Sequence, residues 1–181
     1  MNHQIIYPKL NYTLMAPFFF AEAMKEPQVL EDFLSIFLEK DIHLLHQPKT
    51  EKSPRETASS SVIQMEIYGI DESRVIYEIY SATHEIQPED PNHPESYMII
   101  MTPVDPFGSG AYRYTFSAQS MQSANPYIPK DAVQIIYNTK GHKKGHVSDE
   151  AIALLRYMHQ PFEPPIEYER LTNIHHLLQL L

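Results

Sequence analysis

Two runs of the chain, SVIQMEIY at 61–68 and RVIYEIYS at 74–81, carry carboxylates among apolar and aromatic residues. Read as strands, their period of two puts Glu78 on one face with Ile76 and Tyr80, and Gln64 on one face with Glu66. A carboxylate among bulky apolar neighbours costs free energy unless it is solvated, paired or bound to a metal. If the hairpin register sets Glu78 opposite Glu66 or Gln64, their oxygens converge. Such a pair suits a hard divalent cation, Mg²⁺ or Mn²⁺, that holds a phosphodiester during hydrolysis. A Lys or Gln two places after the Glu would share its face and orient the attacking water; Tyr80 stands there instead.

The ten histidines offer less. His142 and His146 are four apart, a metal-gripping interval on a helix, but Gly141 and Gly145 argue for a solvated basic turn. His175 and His176 are adjacent, so on a helix they point in different directions. The glycines Gly108 and Gly110 lack the Lys-Ser/Thr ending of a phosphate loop and the third glycine of a dinucleotide fingerprint, so they read as a turn. The basic run at 140–144 is a phosphate-contact candidate that an exposed loop explains as well.

The elements that would position these groups follow from periodicity. Pro27 opens a helix over 27–39 with Leu30, Phe33, Leu34, Phe37 and Leu38 at helical spacing, preceded by a shorter helix or turn at 16–24. The polar stretch 47–60 reads as a loop. The two carboxylate-bearing runs form a β-hairpin around a turn that contains Gly69 and Asp71. After a Pro-rich acidic loop at 83–95, SYMIIMTPV at 96–104 suits a strand buried on both faces, and 111–118 and 132–138 read as further strands. Ser148 caps a helix from Asp149 to about Met158. Leu171, Ile174, Leu177, Leu178 and Leu181 form an apolar stripe on an amphipathic tail.

The order implies an α/β or α+β class: a single domain over 1–160 with a mixed central sheet and flanking helices, and a tail at 161–181 that packs on it or docks from it. At 181 residues the chain has room for one domain of ordinary size. Its net charge of −9 opposes unaided binding to a nucleic-acid backbone. The absence of cysteine excludes disulfides and thiolate metal sites and agrees with a reducing cytoplasm. No apolar run approaches the roughly 20 residues that span a bilayer, and the start lacks the layout of a signal peptide. A cytoplasmic protein without a membrane partner is the expectation.

Several segments, in order, resemble one family. They are LNYTLMAPFFFAEAMKEPQVLEDFLSIFLEKDI at 10–42, QPKT at 47–50, VIYEIY closing the hairpin, YMIIMTPVDPFGSGAYRYTF at 97–116, AVQIIYNTKG at 132–141 and SDEAIALLRYM at 148–158. Their shared order and spacing is similar to the bacterial PD-(D/E)XK nuclease family transposases, also called recombination-promoting nucleases. The resemblance implies a restriction-endonuclease-like core and a metal site on the hairpin. Glu78 matches the family's metal-binding Glu, while Gln64 falls where the family has an Asp, with Glu66 the nearest acid on that face. Tyr80 replaces the Gln or Lys, and Pro17 stands where an early Asp is usual. The family's Arg- and Tyr-rich middle helix has no counterpart between Ser81 and Ser96.

These departures imply a degenerate member of the family, related to a mobile-element enzyme, with a disabled site. An amide at Gln64 attracts Mg²⁺ far less than a carboxylate. Tyr80, neutral near pH 7, cannot replace a Lys cation. The expected role is binding of a protein partner or a second copy rather than DNA, through an apolar sheet face left bare by the missing helix, and no cofactor is expected. The alternative is a Mg²⁺- or Mn²⁺-dependent DNA endonuclease built on Glu78 and Glu66.

Overall fold

The computed structural model describes residues 13–57, 60–81, 96–117 and 132–180; for residues 51–66 and 81 the described part is the backbone. Among them the chain runs α1 (Pro17–Ala23), α2 (Pro27–Leu38), β1 (Lys49–Thr57), β2 (Ser60–Ile70), β3 (Ile76–Ser81), β4 (Ser96–Thr102), β5 (Arg113–Ser117), β6 (Val133–Asn138), α3 (Asp149–His159) and α4 (Glu169–Leu178). The six strands form one mixed sheet in the order β1-β2-β3-β4-β6-β5, flanked by the four helices in an α+β arrangement. β1, β2 and β3 are an antiparallel meander; β3, β4 and β6 are parallel; β5 closes the far edge antiparallel to β6.

The helices cover one face. Pro27 starts α2 where its missing N–H costs nothing, and Glu39 ends it in the left-handed region at φ 54°. The ring of Phe33 contacts those of Phe20 and Phe37, at 5.5 and 4.8 Å between centroids, and Phe37 rests on Tyr137 of β6 at 4.3 Å. The Tyr137 hydroxyl donates to the Phe37 carbonyl at 2.5 Å and so satisfies a carbonyl in the last turn of α2. Ser148 caps α3, its hydroxyl accepting from the Ala151 N–H at 3.2 Å. α4 packs on α2 with Leu171 and Ile174 fully buried and Leu177 and Leu178 at the margin. Its first turn is satisfied from α3, where Glu150 Oε1 accepts from the Leu171 N–H.

Two local readings change. The stretch 47–60, expected to be a loop, supplies β1, which pairs along its length with β2. Polar side chains and Pro54 hid a strand that sits at the sheet edge, where both are tolerated. Gly69 lies inside β2 opposite Tyr77 rather than in the turn. A Cβ there would come within 3.1 Å of Leu44 and 3.4 Å of Leu30, so glycine lets loop and helix approach the strand.

The turn itself is organised by Asp71, which is 7% exposed. Its Oδ1 accepts from the Ser73 and Val75 N–H groups and its Oδ2 from the Tyr77 hydroxyl, with Arg74 at φ 64°. The expected loop at 83–95, the chain start and Leu181 fall outside the described residues.

Candidate functional site

Glu78 lies on the second face of the sheet, the one to which no described helix contributes a core residue. With a turn spanning 71–75, Ile70 pairs with Ile76, and the register follows: Tyr68 opposite Glu78, Glu66 opposite Tyr80, Met65 opposite Ser81. The direct pairing of Glu78 with Glu66 or Gln64 is therefore corrected. Glu66 shares the face of Glu78 but stands diagonal to it, and Gln64 lies one residue beyond the last β2–β3 pair. The length of the turn, not the composition of the strands, decides this.

On its other side Glu78 neighbours Met98 of β4, and Met98 neighbours Gln134 of β6. The group is shut from solvent: Glu78 is 3% exposed, Tyr80 and Gln134 each 6%. The Tyr80 hydroxyl donates to Glu78 Oε2 at 3.2 Å, and Gln134 Nε2 donates to Met98 Sδ at 3.4 Å. Tyr80, two places after Glu78, thus turns its polar end onto the carboxylate. Among the residues whose side chains are described, the site brings the Glu78 carboxyl, the Tyr80 phenol and the Gln134 amide together beside Met98, Ile100 and Ile136. Mg²⁺ takes about six oxygen ligands in near-octahedral geometry. No group of three His, Cys, Asp or Glu that could hold a metal occurs among the described residues.

The second face is not the bare apolar surface expected from a missing helix. Tyr80, Met98, Ile100 and Ile136 are all buried. Toward the β5 edge Phe107 and Phe116 are 46% and 40% exposed, with Phe107 packed against both Tyr114 and Phe116.

The remaining candidates separate. His142 and His146 sit in a non-helical loop, and His142 packs over Gly110, where a Cβ would come within 2.2 Å of the ring. The turn at 105–110 is held by Asp105, which accepts from the N–H groups of Phe107, Gly108 and Gly110 and from the Tyr114 hydroxyl. That hydroxyl bond, ahead of the backbone bonds, holds the Asp105 carboxyl below its ordinary range. His175 is buried; its Nδ1 meets the Tyr157 hydroxyl at 3.0 Å and its Nε2 lies 3.1 Å from Glu163. Burial, then the Glu163 charge, pushes the Tyr157 hydroxyl up to about 12.

Three polar centres are not among the sequence candidates for a site: Asp71, expected only as a turn residue, Asp32, and the pair His159–Thr139. The first had a signal, since Asp followed by Glu-Ser after a strand is an Asx-turn pattern. The other two depend on contacts between elements far apart in the chain.

Fold and site together define a mixed-sheet α+β domain with a buried carboxylate–phenol pair on the face opposite its helices. No family model matches the chain, and neither curated proteins nor solved structures give a significant match. No helix among the described residues is long and apolar enough to cross a membrane.

Proposed function

We propose that this chain is a degenerate relative of the PD-(D/E)XK nuclease family transposases, with a restriction-endonuclease-like core lacking its middle helix, and that it acts by binding a protein partner or a second copy. The observation that carries the non-catalytic part is the closure of Glu78, 3% exposed with the Tyr80 hydroxyl on its Oε2. A nuclease metal must reach both its carboxylate and a bulky phosphodiester, and a carboxylate capped by a phenol inside an apolar layer offers neither. Binding is supported by the exposed Phe107 and Phe116 at the β5 edge, since aromatic residues are enriched at protein interfaces. The net charge of −9 favours such a partner over nucleic acid.

A second reading keeps a metal-dependent DNA endonuclease built on Glu78 and Glu66, favoured by their placement on one face of the hairpin. One experiment separates the two. The purified chain is incubated with plasmid DNA and Mg²⁺ or Mn²⁺, and its mass in solution is measured in parallel. The first reading expects no cleavage, together with a dimer or a stable complex that Phe107→Ser with Phe116→Ser weakens. Cleavage that vanishes in Glu78→Ala replaces it with the second.

A further inference from the structure

The helix α2 buries a charge that nothing in the hairpin uses. Asp32 is 6% exposed, and its Oδ2 has no hydrogen-bond partner among the described residues. The groups facing it are few. Gln28, one turn earlier on α2, and Asn173 and Arg170 of α4 favour the ionised carboxyl, while Glu31 of α2 opposes it. Arg170 is itself engaged by Asp41, and Glu31 accepts from the Leu44 N–H at 2.8 Å. Neither is free to turn fully to Asp32. Elsewhere α4 is held by Glu150 on the Leu171 N–H and by His175, set between Tyr157 and Glu163, with Gln179 on its Nε2.

We propose that Asp32 makes docking of the C-terminal helix α4 proton-dependent, so that α4 is clasped most firmly when Asp32 is neutral and loosens as the carboxyl ionises. An ionised oxygen enclosed between two helices without a donor loses its hydration and gains nothing in return. Protonation removes that buried charge. Undocking gives the oxygen back to water and also frees the apolar stripe of Leu171, Ile174, Leu177 and Leu178 from α2. Burial is the largest influence on the Asp32 carboxyl and raises it above its ordinary value, against the opposing pull of Gln28, Arg170 and Asn173. The sign follows: between the ordinary aspartate value near 3.9 and the raised native value, the docked state holds more protons than the undocked state. Docking is therefore strongest below that window and weakens as pH rises through it.

The test uses the full chain. The Asp32 carboxyl carbon is titrated by NMR, and amide exchange of α4, corrected for intrinsic rates, is followed across the same pH range with α3 as internal reference. Expected are a titration above 3.9 and α4 protection that rises on acidification through it while α3 is steady. Asp32→Asn, which keeps the shape without the charge, holds α4 at the high level throughout, about tenfold more protected than the native chain at pH 7. A carboxyl that titrates at or below its ordinary value overturns the proposal. So does an Asp32→Asn chain whose α4 keeps the native pH dependence, or whose α3 and α4 change in step.

Discussion

Ile99 and Ile100 are consecutive on β4, equally hydrophobic and both buried, yet they belong to different cores. Ile99 faces the helices with Ile67, Tyr77, Ile79, Met101, Ile135 and Tyr137, a layer whose two strand phenols are both hydrogen-bonded. The Tyr77 hydroxyl donates to Asp71 and the Tyr137 hydroxyl to the Phe37 carbonyl, and burial raises the pKa of both phenols. Ile100 faces the other way with Tyr80, Met98, Ile136 and Tyr114, beside Glu78, Gln134, Thr102 and Asn138. One face is a large helix-on-sheet core, while the other is a small apolar cluster set among buried polar residues of the strands themselves. The proposed remnant site lies on the second face, where Glu78 is buried beside Tyr80 and no described helix contributes a core residue.

The contrast can be broken most directly at these two residues. Ile99→Ala leaves a cavity walled by a large interlocked layer and is expected to cost about 3–4 kcal/mol; Ile100→Ala, in a smaller cluster with more room to collapse, about 2 kcal/mol. Denaturant unfolding of both variants measures the difference. Equal costs would mean that the second face is packed as tightly as the first and that its polar residues are incidental to its rigidity.

The same asymmetry governs what could be read from sequence. The helical spacing of Leu30, Phe33, Leu34 and Phe37 and the continuous run at 96–102 announce the helix-covered face, because burying an apolar stripe leaves a periodic trace. The Ser148 cap and the hairpin were legible for similar local reasons. What failed was anything set by partners distant in sequence. β1 looks like a loop until β2 is laid beside it, and the register of Glu78 depends on how Asp71 shapes a turn. Asp32 reads as one more solvated helix charge until α4, some 140 residues later, covers it.

A smaller effect sharpens the reading of the second face. Tyr80→Phe keeps the ring and removes the hydroxyl from Glu78. The bond is long for O–H···O at 3.2 Å, so the expected loss is at the low end for a bond to a carboxylate, about 1 kcal/mol. Glu78→Gln in the same background should then restore part of it, since a neutral side chain tolerates the missing donor better than a carboxylate. A double-mutant cycle in chemical denaturation reads this coupling. If the two substitutions add without interaction, the phenol does not cap the carboxylate and the closed-site interpretation fails.

The smallest expected effect lies where the helix layer meets the end of the sheet. Past β6, the Thr139 N–H and hydroxyl both donate to the Thr102 carbonyl, and His159 at the end of α3 places Nε2 2.6 Å from that same hydroxyl oxygen. The short His159–Thr139 bond ties the end of α3 to the end of β6. Burial first, then the charge of Lys140, lowers the pKa of His159. A histidine whose native pKa is lowered binds fewer protons folded than unfolded, so its contribution is complete above the ordinary value of about 6.5 and is lost as pH falls from there to the native value. Because the ring is only partly buried and solvent screens it, the loss should be smaller than that of Tyr80→Phe. His159→Gln, which can still hydrogen-bond Thr139 but cannot titrate, should remove this part of the slope when unfolding free energy is measured between pH 7.5 and 5. An unchanged slope in that variant would assign the acid sensitivity of this corner to another group and leave His159 a neutral strut between the helices and the sheet.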